Sequence, residues 1–153
     1  MNDTATTAAP TSIVVDYDLT AAPATVWRAL TESSLISSWL MQNDFQPVVG
    51  HRFTLRAQPM PGWDGIIQCE VLEVTAPNRL SYSWQGGGEE NRLDTVVTWT
   101  LAPGPSGGTL LHLEHTGFQP KDAMGAEGMG RGWRGHVGAR LRQVTEEMGK
   151  DEG

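Results

Sequence analysis

The chain has 153 residues, a net charge of −7 and a single cysteine, Cys69. That length fits one domain, and the acidic balance excludes the clustered Lys and Arg that binding to duplex nucleic acid requires. One cysteine excludes an internal disulfide and a cysteine-rich metal site, and it fits a reducing, cytoplasmic setting.

The opening MNDTATTAAPTS has neither the positive charge nor the apolar run of a signal peptide. No stretch approaches the ~18 apolar residues of a membrane span. Residues 1–11 read as a disordered tail, 12–148 as one domain and 149–153 as a short second tail. Ser12 to Leu19 alternates, with Ile13, Val15, Tyr17 and Leu19 on one side, and predicts a strand with one buried face. VWRALTESSLISSWL (26–40) has helical spacing but breaks at Thr-Glu-Ser-Ser, so it reads as two short helices. Pro23 is placed to open the first, and Ser33 or Ser34 to cap the second.

From His51 the period becomes two. HRFTLRA (51–57) places Phe53, Leu55 and Ala57 on one face, and PMPGWDG (59–65) reads as a turn. Strands follow at Ile66–Val74, around Leu80–Tyr82–Trp84, at Leu93–Leu101 and at Thr109–Phe118. GGGEEN (86–91) and PGPSGG (103–108) read as hairpin loops between them, which makes the order antiparallel. The last element, roughly Glu127 to Met148, reads as a long helix, with a loop up to Gly130 allowed by its glycines. At about 100° per residue, Met129, Trp133, Val137, Leu141, Val144 and Met148 fall within about 120° of arc, the width of a core-facing stripe. The sum is an α+β fold: six curved antiparallel strands, two short helices after the first, and one long helix across the concave side.

Six stretches in this order carry a resemblance: VWRALTESSLISSWL, VVGHRFTL, EVLEVTAPNRLSYSW, VVTWTL, GGTLLHLEHTGF and GWRGHVGARL. The chain resembles the START-like helix-grip superfamily, in the branch named for the activator of Hsp90 ATPase. The resemblance implies an internal cavity for a small hydrophobic or aromatic molecule, with no cofactor. Two departures, Trp39-Leu40 where the family commonly pairs tryptophans and Gly50-His51 where it commonly pairs glycines, imply a differently shaped entrance. A homodimer is compatible with this reading. An Hsp90-like chaperone partner is disfavoured, because a tail of 1–11 is not the additional N-terminal domain such a co-chaperone normally needs.

The candidate ligand-binding residues are Trp39 at the end of the second short helix, Phe53, Tyr82, Trp84 and Trp99 on inward strand faces, and Trp133 and Val137 on the long helix. Aromatic walls suit a small-molecule pocket, and the same rings equally suit a filled core. His115, in phase with Leu111 and Leu113, is the candidate acid–base group, or else a core histidine with a backbone partner. Arg140 lies within the helical arc, where it reaches an anionic ligand group or a carboxylate such as Glu73, or else covers apolar surface with its stem. No spacing of His51, His115 and His136 supports a metal. The three functional readings are a binding protein, a cyclase- or hydratase-like enzyme using His115, and an interaction module.

Overall fold

The alternation read along the chain decides the sheet. In β1 (Ser12–Leu19) the inward residues Ile13, Val15, Tyr17 and Leu19 are buried and their neighbours exposed. The same period puts Leu80, Tyr82 and Trp84 of β5 (Arg79–Gly86), Val97, Trp99 and Leu101 of β6 (Leu93–Pro103), and Leu111, Leu113 and His115 of β7 (Thr109–Thr116) inside. With β3 (Arg52–Arg56) and β4 (Ile66–Thr75) these strands form one antiparallel sheet. The computed structural model describes residues 12–59, 61, 64–86 and 93–152. The expected tail 1–11, part of the 59–65 turn and most of the 86–91 loop lie outside them.

The described strands number seven rather than six, in the order β1-β7-β6-β5-β4-β3-β2. The addition is β2 (Gln42–Asn43), two residues paired with Arg56 and Leu55 of β3. It is too short to carry a period, so side chains fix it. The Asn43 amide donates to the carbonyls of Ser33 and Met41 at 3.2 and 2.9 Å, and the Ser33 hydroxyl donates to Asn43 Oδ1 at 2.8 Å. One residue on, Asp44 Oδ1 accepts the backbone N–H of Thr54 at 2.7 Å, so a carboxylate stands beside β3 where another strand would pair.

The broken helical stretch is α1 (Pro23–Thr31) and α2 (Ser33–Trp39), separated by Glu32 in an extended conformation. Pro23 opens α1 as expected. The expected serine cap of α2 is not made. Glu32 holds the cap position without a side-chain bond, and the Ser33 hydroxyl turns to Asn43 instead. The break lets α2 fold back. The indole N–H of Trp39 donates to the carbonyl of Ala29 at 2.8 Å, and its ring meets Trp99 edge-on. Trp39 thus ties α1, α2 and the sheet together.

The C-terminal rod begins earlier than its glycines suggest and continues further. It comprises α3 (Ala123–Gly132), a π-helical turn (Trp133–Val137) and α4 (Gly138–Glu152). The π turn changes the helical phase. Up to Trp133 the buried line is Ala126, Gly130, Trp133; beyond it the line is Gly138, Leu141, Thr145, Met148. The step from 133 to 138 is five residues, where an α-helix would give three or four. Val137 and Val144, central in an unbroken α-helix, therefore move to half-buried edges, and Gly138 takes the central place against the sheet. Among the described residues no helix is long and apolar enough to cross a membrane.

Gly138 is where the rod comes closest to β1. A Cβ there would lie 2.9 Å from Cε1 of Tyr17, a buried ring already fixed by its own hydrogen bond. At Gly132 a Cβ meets open space. Gly132→Ala is therefore expected to raise stability by about 0.5–1 kcal/mol through helix propensity, while Gly138→Ala lowers it by about 1–3 kcal/mol through overpacking. Urea unfolding of the two variants checks both signs.

Candidate functional site

A connected set of rings runs across the concave face of the sheet, among aliphatic side chains. Trp99 lies at its middle, with ring centroids 6.2 Å from Tyr17, 5.7 Å from Trp39 and 5.6 Å from Trp133. Its indole N–H donates to the Tyr82 hydroxyl at 3.0 Å. Towards β3, Tyr82 meets Phe53 at 5.4 Å and Phe45 at 6.2 Å, both edge-on. Towards β7, Trp133 meets Trp84 at 5.5 Å, and Trp84 meets His115 at 5.2 Å. Edge-to-face and tilted contacts of this kind place ring edges against π faces, worth about 0.5–1.5 kcal/mol each beyond area burial. The centre of the cup is thus occupied by rings in mutual contact.

One directional polar chain runs through them. The Trp133 indole can only donate, so its bond to His115 Nδ1 at 3.2 Å makes that nitrogen the acceptor. The proton of the neutral ring therefore sits on Nε2 and is donated to Thr95 Oγ1 at 2.8 Å; Thr95 in turn donates to the carbonyl of Trp84 at 2.8 Å. Both imidazole nitrogens are engaged, and the ring is fully buried. Burial holds its pKa down at about 3, because the charged form would lose water without gaining a partner. In this arrangement the imidazole is neutral near pH 7 and has no free nitrogen. The polar groups of Tyr17 and Trp133 also meet. The Tyr17 hydroxyl donates to the Trp133 carbonyl at 2.6 Å, and burial raises the phenol's pKa.

Of the residues singled out from sequence, Trp39, Phe53, Tyr82, Trp84, Trp99, His115 and Trp133 are all buried on this face. Val137 packs at its margin, half-buried, because of the π turn. Arg140 is not brought to it. The phase change turns that residue outward, where it is exposed. Glu73, offered as its partner, pairs instead with Arg79 on the sheet surface, at 2.9 Å. Among the described residues no three His, Cys, Asp or Glu side chains gather as metal ligands.

Three residues of the site escaped the sequence reading. Thr95 stood two before Val97 in a period-two run and was legible there. Phe45 sits in an irregular segment whose burial no periodicity announces, and Phe118, expected at the end of the last strand and out of phase with Leu111, Leu113 and His115, lies beyond the observed end of β7 at Thr116 and is buried. The outer side of β3–β5 carries a separate open groove of about 510 Å³. Its side chains include Asp44, Arg52, Gln68 and Glu70, of mixed charge and without a shared focus.

The His115 linkage has a definite sign. Its pKa is about 3 when folded and about 6.5 when unfolded, so folding favours the neutral ring. The stability this contributes is complete above pH 6.5 and is lost as pH falls from there towards 3. The limiting slope is about 1.4 kcal/mol per pH unit. Between pH 7.5 and pH 5.0 the wild type is expected to lose about 1–2 kcal/mol more stability than His115→Gln loses. At pH 7.5 the variant is itself weaker by about 1–3 kcal/mol, because Trp133 and Thr95 lose their partner. Urea titrations at the two pH values measure both quantities.

A family model described as activator of Hsp90 ATPase homolog 1-like protein matches residues 20–146. Among solved structures, protein MLL2253 from Mesorhizobium loti is 39% identical with a TM-score of 0.82, over 89% of this chain and 97% of that one. Protein BH1534 from Bacillus halodurans is 27% identical with a TM-score of 0.72, over 90% and 99%. The Aha1 dimer from Colwellia psychrerythraea, 17% identical with a TM-score of 0.68 over 93% and 98%, shares the fold. No curated protein matches the sequence. The ordered strands, the paired short helices and the rod across them agree with the family match over most of the chain, and the protein belongs to the activator of Hsp90 ATPase homolog 1-like family.

Proposed function

We propose that this protein binds an apolar, ring-bearing small molecule between the concave side of the sheet and the C-terminal rod. The observation that carries the reading is a connected cluster of aromatic rings across the middle of an apolar inner wall, with half-buried apolar side chains between that wall and the surface. Leu35, Leu40 and Met41 after α1, and Val137 and Val144 on the rod, all pack against the hydrophobic core that contains these rings while remaining partly accessible. The rod's backbone neighbours are β1, α1 and α2. Over β5 to β7 the gap is bridged by the Trp133 side chain, which reaches Trp84, Trp99 and His115. A space spanned by rings is one in which a flat guest replaces ring–ring contacts with ring–guest contacts of similar strength. Uptake on this reading turns one or more rings aside.

Binding is favoured over acid–base catalysis by the state of His115. A general base needs a nitrogen within reach of the substrate and a pKa near the working pH. Here both nitrogens bond within the protein and burial opposes the charged form. Its role on this reading is to orient Trp133 and Trp84.

Fluorene, a rigid tricyclic hydrocarbon, tests the proposal through tryptophan emission. Saturable quenching at micromolar concentration is expected, since moving a ring in the cluster alters its neighbours. Val137→Arg places a charge at the margin and is expected to weaken fluorene at least tenfold. Val14→Arg, at an exposed position on the opposite sheet face, is expected to leave it unchanged. Absence of saturation up to the solubility limit, or equal effects of the two variants, would overturn the reading.

A further inference from the structure

Most buried donors of the inner wall have an acceptor. Trp39, Trp99 and Trp133 donate through their indoles, Tyr17 through its phenol, and Thr95, Thr109 and Thr145 through their hydroxyls. Two donors do not. The Tyr82 hydroxyl accepts from Trp99, which leaves its own hydrogen free, and among the described residues no group accepts it. The indole N–H of Trp84 likewise has no acceptor among them. Each residue is only 4% exposed.

The two donors leave one strand but turn apart, Tyr82 towards Phe53 and Phe45 and Trp84 towards His115 and Trp133. Tyr82 and Trp84 are two positions apart on β5, so both side chains leave the same face roughly 6.6 Å apart along the strand. Around Tyr82 stand Phe45 and Phe53, each steeply inclined to its ring, and Cys69, which is close enough to act on it electrostatically but makes no hydrogen bond to it. A buried donor without an acceptor is costly, and native structures rarely keep one without a use. No Asp, Glu, Lys or Arg side chain is buried among the described residues, so the wall offers no counter-charge.

We infer that Tyr82 is the polar anchor of the guest site, and that the guest is a neutral, flat, apolar molecule carrying a carbonyl oxygen. The inference rests on the binding reading above and adds the chemical class to it. Trp99 is the positioning residue. By occupying a lone pair of the phenol it leaves Tyr82 to act as donor. A ligand carbonyl supplies acceptor lone pairs and no donor, which complements a wall whose free groups are donors alone. A carboxylate would have to be buried without a cation and is excluded.

Three probes of one shape separate the terms: fluorene, 9-fluorenone and fluorene-9-carboxylate, each titrated by calorimetry into the wild type and Tyr82→Phe. In the wild type, fluorenone is expected to bind at least tenfold tighter than fluorene, and the carboxylate at least tenfold weaker. Tyr82→Phe is expected to remove most of the ketone preference while leaving fluorene within about threefold. The carbonyl stretch of bound fluorenone, read by infrared difference spectroscopy on the wild type alone, is expected below its position in hydrocarbon solvent, which tests the anchor even if the variant folds poorly. Equal binding of fluorene and fluorenone by the wild type, or an unshifted carbonyl stretch, would overturn the anchor while the guest site stands. Failure of both neutral probes to bind would overturn the site and the anchor together.

Discussion

Trp133 is held at both ends, and the geometry of the interior follows from that. Its indole N–H fixes the imidazole of His115, and its carbonyl receives the phenol of Tyr17. The first bond reaches β7 and the second β1, strands that are paired along their whole length. One residue on the rod therefore sets both its rotation and its height above the sheet. Moving Trp133 would break two buried hydrogen bonds and separate its ring from Trp84 and Trp99. Buried polar contacts of this kind select one arrangement among many that hydrophobic packing alone would tolerate.

The π turn belongs to the same joint. It begins at Trp133 and advances the chain by one residue relative to an α-helix. The shift places Gly138 beneath the rod, where its missing side chain admits the Tyr17 ring. Tyr17 can then reach the Trp133 carbonyl. A local irregularity, a glycine and a phenol thus meet in one joint. Such turns inside helices are frequent at functional positions, and here the turn faces the aromatic wall.

The strands were legible because side-chain direction in a strand depends only on parity, and Leu80, Tyr82, Trp84 and Leu111, Leu113, His115 obeyed it. The rod was legible as an element but not in phase, because a fixed angle per residue has no means of registering a π turn. Arg140 was misplaced for that reason and Val137 displaced. Ser33 was read as a cap from composition, but Asn43, ten residues away, offers it a better partner. The two-residue strand at Gln42–Asn43 exists through those side-chain bonds and leaves no periodic trace. The wall of the candidate site was thus visible by parity, whereas its hydrogen-bond directions, including the unaccepted donors of Tyr82 and Trp84, depend on contacts between strands.

Near each margin of the sheet a side chain takes a backbone group. At β3 the Asp44 carboxylate occupies the backbone N–H of Thr54, and at β1 the guanidinium of Arg142 reaches the carbonyl of Asp18 at 3.3 Å. An extended segment pairing at Thr54 or Asp18 would have to displace a charged group, and at β3 it would bring a carbonyl oxygen towards a negative charge. Fibril-like stacking begun at either point would therefore start by breaking a side-chain contact.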